Sequence, residues 1–600
     1  MCGIAGILRK DDRAQALEPL LIDLQKHLRH RGPDDEGLWM DDRRHIGFTH
    51  TRLAILDLSP AGHQPMQSPD GRLVITFNGE IYNFRELRSS LEFDGAVFHT
   101  QTDTEVLLHL YAKHGAAMLD HLRGMFAFCI WDRLANRAFL ARDPLGIKPL
   151  YYCQHDDQLT FASELQALIK AGISRKKINA QAVYDYLIDG SVAEPNTLCE
   201  DVHCLPAGHH ILWEKGRLTV ARYWEPQFAW HDSPAPSEES IPYTRKALTD
   251  SLQQHFISNV PVGIFLSGGI DSTALLALAK ASDIPQVQTY SVGVDDPLMN
   301  ESDAAARTAK HFDVEHHVMP LSGERALELF GQFLNHQDQP SIDGLNTFSA
   351  SCLAHEQGLK VVLSGLGGDE LFSGYPSFQA IPRMMGLASL LRAFGPLRSV
   401  IGRALQNKKI PGRYQRLGSY LAGDTGVSSA FRAFRGVFTP DQARTLTDRL
   451  ITGSWCPEFH THESESGDED IGDQISHLEM TRYMRNQLLR DTDVMSMAWG
   501  LELRVPFVDR FLFEQMSHLP PNLRLQKGKK LLLDAIPEIP EWVAQAPKRG
   551  FRFPFQRWLE TSWGGALTIP EGLLDGGMNA WYQQWAIFVL LQWQDRLGVH

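Results

Sequence analysis

A chain of 600 residues is longer than one hydrophobic core ordinarily supports, so two domains, or two with a helical extension, are expected. Its 43% hydrophobic and 22% charged residues are those of a globular protein. A net charge of -14 with no long basic run speaks against nucleic-acid or membrane-surface partners and for small-molecule chemistry. The seven cysteines show no CxxC or Cys/His ligand spacing and no apolar leader precedes them, which points to a reducing, cytoplasmic setting without a disulfide framework or a structural zinc.

The first informative residue is Cys2, in Met1-Cys2-Gly3-Ile4-Ala5-Gly6. Removal of Met1 would leave a thiol and a free α-amine on one residue. With reference pKa values of about 8.5 and about 7.7–8.0, the amine can take the thiol's proton near neutrality, directly or through water. A buried hydrophobic cysteine at a frayed terminus is the plainer reading of position 2 taken alone.

Up to about residue 224, short β-rich runs at 3–8, 45–50, 73–77, 125–131, 138–141 and 159–162 alternate with polar turns, and helical spacing appears at 17–28 and 104–111. This predicts an α+β domain over 1–224. The polar, proline-containing stretch around His231-Asp232-Ser233-Pro234 marks a linker, 225–241, and a second domain covers 242–600. There, Val262-Gly263-Ile264-Phe265-Leu266 runs into Ser267-Gly268-Gly269-Ile270-Asp271-Ser272 and then into helical composition at 274–280. With further apolar runs at 289–294 and 360–363, this half reads as a parallel α/β sheet. From about residue 376 the chain is helical in composition, with an acidic, solvated loop at 463–473. The late apolar stretch 585–591 is far short of the roughly 20 residues that span a bilayer and reads as a helix packed against its own domain.

The turn 267–272 offers backbone N–H groups at a helix N-terminus, which suits a phosphate or pyrophosphate. It lacks the lysine of a Walker A loop, and Asp271 instead suggests a carboxylate holding Mg²⁺. Ser364-Gly365-Leu366-Gly367-Gly368-Asp369-Glu370 repeats the pattern, with Asp369 as a second Mg²⁺ ligand. Two such turns at the C-terminal ends of parallel strands would face one crevice. Two unrelated tight turns are the alternative.

Taken in order, Cys2-Gly3-Ile4, Arg31-Gly32-Pro33-Asp34, Arg52-Leu53-Ala54-Ile55-Leu56, Asn78-Gly79-Glu80-Ile81-Tyr82-Asn83, Arg142-Asp143-Pro144-Leu145-Gly146, the SGGxDS run and Glu502-Leu503-Arg504-Val505-Pro506-Phe507 resemble the glutamine-dependent asparagine synthetase family almost end to end. The resemblance implies an α+β N-terminal nucleophile (Ntn) hydrolase sandwich, followed by an α/β parallel-sheet ATP-pyrophosphatase domain with a helical C-terminal region, and it implies a homodimer. It further implies that Cys2 attacks the amide of glutamine and that Asn78 and the Gly79 amide form the oxyanion hole. Arg52, with Leu53, Ala54, Ile55 and Leu56, would hold the substrate's α-carboxylate, and Glu80 and Asp103 its ammonium. Those residue types suit the tasks: neutral donors face a developing oxyanion, arginine forks onto carboxylate, and acids pair with ammonium. Without the motif context, Arg52 and Asp103 would read as an ordinary surface pair.

For the second site the resemblance implies ATP, with Leu266, Val292, Ser364 and Gly365 lining it, Ser267, Gly268, Gly269, Asp271 and Ser272 cradling pyrophosphate, and Asp271 and Asp369 holding Mg²⁺. Lys548, in Pro547-Lys548-Arg549-Gly550-Phe551, falls where the family places a lysine that neutralises phosphates or the transition state. An acyl-adenylate would then be aminated by ammonia arriving through an internal channel.

The sequence departs from asparagine-forming members on the acceptor side. Leu366 stands where their turn carries a glutamate, and leucine takes no proton. The acceptor segment Ser341-Ile342-Asp343-Gly344-Leu345-Asn346-Thr347 lacks the arginine-containing pattern that binds aspartate in those members. The acceptor is therefore left open between aspartate and another carboxylate, such as a uronic acid of a surface polysaccharide or a secondary metabolite. A glutaminase without synthetase activity and a non-catalytic interaction protein remain as alternatives.

Overall fold

The computed structural model describes the chain except residues 1, 11–15, 232–238, 452–454, 458–469, 548–549, 551–552, 562, 564–566, 571, 575–577 and 579. In the first half the strands are β1 (Gly3–Arg9), β2 (Asp35–Met40), β3 (Ile46–Arg52), β4 (Met66–Gln67), β5 (Leu73–Ile81), β6 (Gly124–Asp132), β7 (Arg137–Arg142), β8 (Tyr151–His155), β9 (Gln158–Ala162), β10 (His203–Cys204), β11 (His209–Glu214) and β12 (Arg217–Arg222). They form two six-stranded antiparallel sheets, β10-β8-β9-β1-β3-β2 and β12-β11-β7-β6-β5-β4.

Two-residue alternation explains how the sheets stack. On β1, Ile4 and Leu8 face the other sheet, where they meet Val74 of β5 and Ala127 and Cys129 of β6, while Ala5 and Ile7 face outward. The outward side of the first sheet is covered by α1 (Leu17–Leu28), and that of the second, through Phe77, Phe126, Phe128 and Ile130, by α2 (Phe84–Phe93) and α3 (Asp103–His114). Helices α4 (Leu165–Lys170) and α5 (Ala180–Asp189) complete the first helical layer. Strands buried on both faces read as continuous apolar runs, which is why 125–131 stood out in the sequence. Each fully buried Phe or Ile there contributes about 1.5–3 kcal/mol.

In the second half α6 (Ser240–His255) precedes a parallel sheet of β13 (Val262–Phe265), β14 (Gln288–Val294), β15 (Glu315–Leu321), β16 (Val361–Leu363) and β17 (Glu502–Arg504), in the order β15-β14-β13-β16-β17. Helix α7 (Ile270–Ala281) follows β13. The register Ile264↔Leu363 makes β13 and β16 neighbours, so the turns that follow them lie side by side at one end of the sheet. The expected α+β sandwich, parallel sheet and helical C-terminal region are all present. In the parallel sheet, β15 and β17 were not expected from the sequence, and in the first half neither were β2, β4, β8, β10, β11 and β12.

Three expectations change. The helix Trp581–Leu597 does not pack only on its own half. Trp585, Phe588 and Val589 join the second-half core, whereas Ala586, Ile587, Leu590 and Trp593 join the core of α1 and α5. Tyr186 Oη donates to the Ala586 carbonyl at 2.8 Å, and Trp593 Nε1 donates to the Asp338 carbonyl at 2.9 Å. Its apolar residues run around the whole circumference because both sides are covered. Within 463–473, residues 463–469 lie outside the described residues, and Asp473 is not in a solvated loop: it is buried on the helix Ile471–Leu478, paired with Arg524 and accepting Trp230 Nε1 at 2.8 Å. Third, although no zinc spacing exists in the sequence, folding brings Cys153, His155 and Asp201 together with ligand atoms within 4.8 Å of one another. Asp201 there also accepts Ser174 Oγ and the Arg175 amide. Among the described residues no helix is long and apolar enough to cross a membrane.

Because Trp593 seals the junction of the two halves, Trp593→Ala is expected to lower stability by about 3–5 kcal/mol, read as a lower midpoint in chemical denaturation.

Candidate active site

The alternation that builds β1 and β5 also aims the first site. Cys2 shares parity with Ile4, and Asn78 and Glu80 share parity with Val74, so these side chains face the space between the sheets. The Cys2 backbone N–H donates to Asn78 Oδ1 at 2.9 Å. That bond fixes the amide so that Asn78 Nδ2 is the free end, and this fully buried donor has no hydrogen-bond partner. Buried N–H donors are seldom left unmatched. Gly79 follows with φ +154°, and a Cβ there would lie 2.1 Å from the Met125 carbonyl, so only glycine lets β5 and β6 close at this point. Burial pushes the Cys2 thiol up, while a hydrogen bond from the Leu53 amide and the charge of Arg52 pull it back.

Glu80 and Asp103 meet nearby, and Asp103 accepts the Ile81 amide at 2.9 Å. Burial raises both carboxyls, Asp103 to about 6 and Glu80 well above its ordinary range. A pair of buried acids with this bias is poised to ionise when a cation arrives. Arg52 is held by its own loop: Nη1 donates to the Ser59 carbonyl at 3.0 Å, and Nη2 to the carbonyls of Leu56, at 3.3 Å, and Asp57. Its guanidinium is thus fixed in place beside Cys2.

Residues from the far half of the chain reach this site, and sequence reading assigned them no role. Arg31, fully buried, donates Nε to the Cys2 carbonyl at 3.1 Å, Nη1 to Glu164 at 2.9 Å and Nη2 to Asp493 at 2.7 Å. Lys148 Nζ lies 3.3 Å from the other Asp493 oxygen. Arg504, also fully buried, pairs with Glu502 at 2.5 Å and lies 3.5 Å from Glu80. Glu502 and Arg504 sit in a motif quoted above for its family likeness, but nothing local signalled that β17 reaches the first site.

At the second site Leu266 follows β13, with its amide on the Tyr290 carbonyl, and Ser364 follows β16, with its amide on the Arg504 carbonyl at 2.9 Å. Val292 lies on β14. In the turn 267–272, Ser267 Oγ accepts the Gly269 amide at 3.1 Å and Ser272 Oγ accepts the Ser267 amide at 3.1 Å. These hydroxyls hold Gly268 and Gly269 over the start of α7. Gly365 and Gly368 abut Asp271, so the two turns do form one crevice. Asp271 and Asp369 each approach Lys529 Nζ to 2.5 Å. Lys529 was missed because Lys527-Gly528-Lys529-Lys530 reads as an ordinary basic turn. Its backbone gives a sign of strain, a left-handed φ of +58°. Burial opposes its charge, but the two carboxylates hold the ammonium above its usual value. Gly374 admits this cluster, since a Cβ there would fall 1.8 Å from Asp369 Oδ1. Two hard oxygen donors converging on one point fit Mg²⁺, with Lys529 as the competing cation. Lys548 lies outside the described residues.

Leu366 packs against the second-half core. The neighbouring Glu370 is pushed up to about 8 by burial and then by Asp369; Tyr375 Oη donates to its Oε1 at 2.9 Å, and its Oε2 has no hydrogen-bond partner. A small cavity is lined by Glu370 together with the apolar side chains of Leu145, Met480, Met484, Phe507 and Phe513.

A family model described as "Glutamine amidotransferase domain" matches residues 1–224, and one described as "Asparagine synthase" matches residues 244–565. The chain is 33% identical to "Asparagine synthetase [glutamine-hydrolyzing] 1" of Bacillus subtilis over 93% of this chain and 88% of that protein. It is 32% identical to "Putative asparagine synthetase [glutamine-hydrolyzing]" of Mycobacterium bovis over 89% of this chain and 83% of that one. It is also 26% identical to "Amidase chry2" of Gibberella zeae over 93% of this chain and 90% of that one.

Lys529→Met removes the ammonium that Asp271 and Asp369 share and should lower stability by about 3–5 kcal/mol. Millimolar Mg²⁺ should recover much of the lost thermal midpoint in that variant and do little for the parent chain.

Proposed function

Since the chain belongs to the glutamine-hydrolysing asparagine synthetase family and is a carbon–nitrogen ligase that uses glutamine and ATP to form an amide, we propose that Cys2 is the glutaminase nucleophile and aspartate the leading acceptor. The observation that carries the first part is the orphaned Asn78 Nδ2 beside Cys2. Once Met1 is gone, the Cys2 amine takes the thiol proton and the thiolate adds to the glutamine side-chain carbonyl. The developing oxyanion takes up Asn78 Nδ2 and the Gly79 amide, a donor pair in which one member contributes about 2.7–4 kcal/mol to the barrier. Ammonia leaves, and water releases glutamate from the thioester. The substrate's α-carboxylate lies at Arg52 and the loop after it, and its ammonium at Glu80 and Asp103.

In the second crevice the acceptor carboxylate attacks the α-phosphorus of ATP and pyrophosphate departs. Ammonia then attacks the acyl carbon, AMP leaves, and an amide remains. Asp271 and Asp369 would hold Mg²⁺, which supplies charge neutralisation for the leaving pyrophosphate, and Lys529 shares that task. The apolar side chains around Glu370, from Leu145, Met480, Met484, Phe507 and Phe513, support a dry setting for the transfer of ammonia. With Leu366 unable to take a proton, Glu370 is the nearby carboxyl whose ionisation falls in the working range.

A second reading, amidation of a carboxylate other than aspartate, is favoured by Leu366 and by a relative named as an amidase. Aspartate-dependent release of AMP and pyrophosphate decides between them, and its absence removes aspartate.

Cys2→Ala should abolish glutamine-supported AMP release by at least about 10³-fold, while ammonium salts still support it. For the parent chain, kcat/KM for glutamine should fall as the pH drops below about 6. Asp103 takes up a proton there and no longer faces the substrate ammonium as an anion. Asp103→Asn should flatten that limb and raise the KM for glutamine.

A further inference from the structure

The net charge of -14 is unevenly spread along the chain. Residues 371–423 contain no Asp or Glu but eight Arg and Lys. The whole-chain charge, which speaks against a membrane surface, averages this segment away.

The same segment carries the densest set of exposed large apolar side chains among the described residues. Leu390 and Phe394 are each 62% exposed, and Leu387, Leu397 and Val400 are exposed beside them. They lie on a helical hairpin, Ser377–Arg392 followed by Leu397–Leu405, whose connection Ala393-Phe394-Gly395-Pro396 is exposed at every residue. On the first arm, Ile381 and Ala388 turn inward to a core shared with Tyr420 and Phe431. Arg383, Leu387 and Leu390, at i, i+4 and i+7, form the opposite stripe, which Phe394 continues at the turn. On the second arm, Gly402 faces the next helix so closely that a Cβ there would lie 2.6 Å from the Ala422 amide nitrogen. Leu397 and Val400 stand on the outer side. Both arms thus show an apolar outer face that meets at a bare, protruding tip.

Cations surround this tip. Arg383, Arg392, Arg403, Lys408 and Lys409 are exposed. Arg392 Nη2 donates to Thr425 Oγ1 at 2.9 Å and Arg398 Nη1 to the Gly423 carbonyl at 2.9 Å, which holds these two beside Asp424, the acid that closes the segment. An exposed apolar patch rimmed by charge marks an interaction surface. A second copy meeting it face to face would set cations against the same cations. A protruding tip also offers no groove for a peptide. Leucine and phenylalanine bordered by arginine and lysine are instead the pattern of helices that lie at an anionic bilayer, with the cations at lipid phosphates and the apolar residues about 5–10 Å into the boundary below them.

We propose that this hairpin docks the chain on an anionic lipid bilayer, with Leu387, Leu390, Phe394, Leu397 and Val400 entering the acyl boundary. The first arm begins two residues after Tyr375, whose hydroxyl donates to Glu370 at 2.9 Å. The tip stands one helix length from Tyr375, about 24 Å for 16 residues. The docking does not depend on which acid is the acceptor.

The test is flotation of the full chain with vesicles of phosphatidylcholine alone and of phosphatidylcholine mixed with phosphatidylglycerol, at low and high salt. The parent chain is compared with two sets of substitutions: Leu390→Gln with Phe394→Gln, and Arg403→Gln with Lys408→Gln and Lys409→Gln. All five side chains are exposed, so thermal midpoints should match that of the parent. The parent should float with the anionic vesicles and be released as salt rises. Each set should weaken this binding by about 10- to 100-fold. No flotation with the anionic vesicles, equal flotation on phosphatidylcholine alone, or flotation unchanged in both sets overturns the proposal. Loss in the cation set with none in the apolar set marks a contact that does not enter the bilayer, and it overturns the proposal too. Concentration-dependent dimerisation that the apolar set abolishes, without flotation, overturns it in favour of a second copy.

Discussion

Two guanidinium groups with no solvent exposure, Arg31 and Arg504, tie the two halves of the chain together. Each is bonded to carboxylates from both halves: Arg31 to Glu164 and Asp493, Arg504 to Glu502 and Glu80. Burying such charges is costly unless every one is matched, and removing a single partner from a buried pair costs several kcal/mol. The halves therefore meet in one arrangement, in which charges are paired across the seam. The position of Cys2 depends on that arrangement, because Arg31 holds its carbonyl.

Among the buried side-chain atoms that lack a hydrogen-bond partner, two lie where chemistry is proposed. Asn78 Nδ2 has no acceptor and Glu370 Oε2 no donor. Both residues are buried, and both border a site where a reaction step is proposed above. Asp271 and Asp369 show the opposite lapse, two acids brought to one point where a lysine balances them. Buried groups left incomplete at such places are ready to take a ligand.

Much of this was legible in the residues. Continuous apolar runs marked the strands buried on both faces, and glycine turns after apolar strands marked the crevice proposed to take the nucleotide. The ordered motifs around Cys2, Arg52, Asn78 and Glu80 named the members of the proposed glutamine site, and the structure brings them near one another. What escaped depends on contacts between distant parts of the chain. β17 is three residues long and too short for periodicity to register, yet it completes the sheet. Lys529 lies 258 residues beyond Asp271, and no local pattern says which lysine will meet which acid. The helix Trp581–Leu597 showed its apolar character but not which layers it would join, since a surface covered on all sides carries no directional stripe.

Strand β17 joins the two proposed reaction centres directly. Its main chain carries the carbonyl of Arg504 that positions Ser364 at the nucleotide turn, and its side chain at the same residue lies against Glu80 of the glutamine pocket. One residue is thus a component of both machines. The glutaminase half cannot be exchanged as a free-standing cassette: a chimera that replaced residues 1–224 would inherit a foreign partner for Arg504 and for Asp493. Modularity is visible in how the chain is assembled, but heredity acts on it as a single unit.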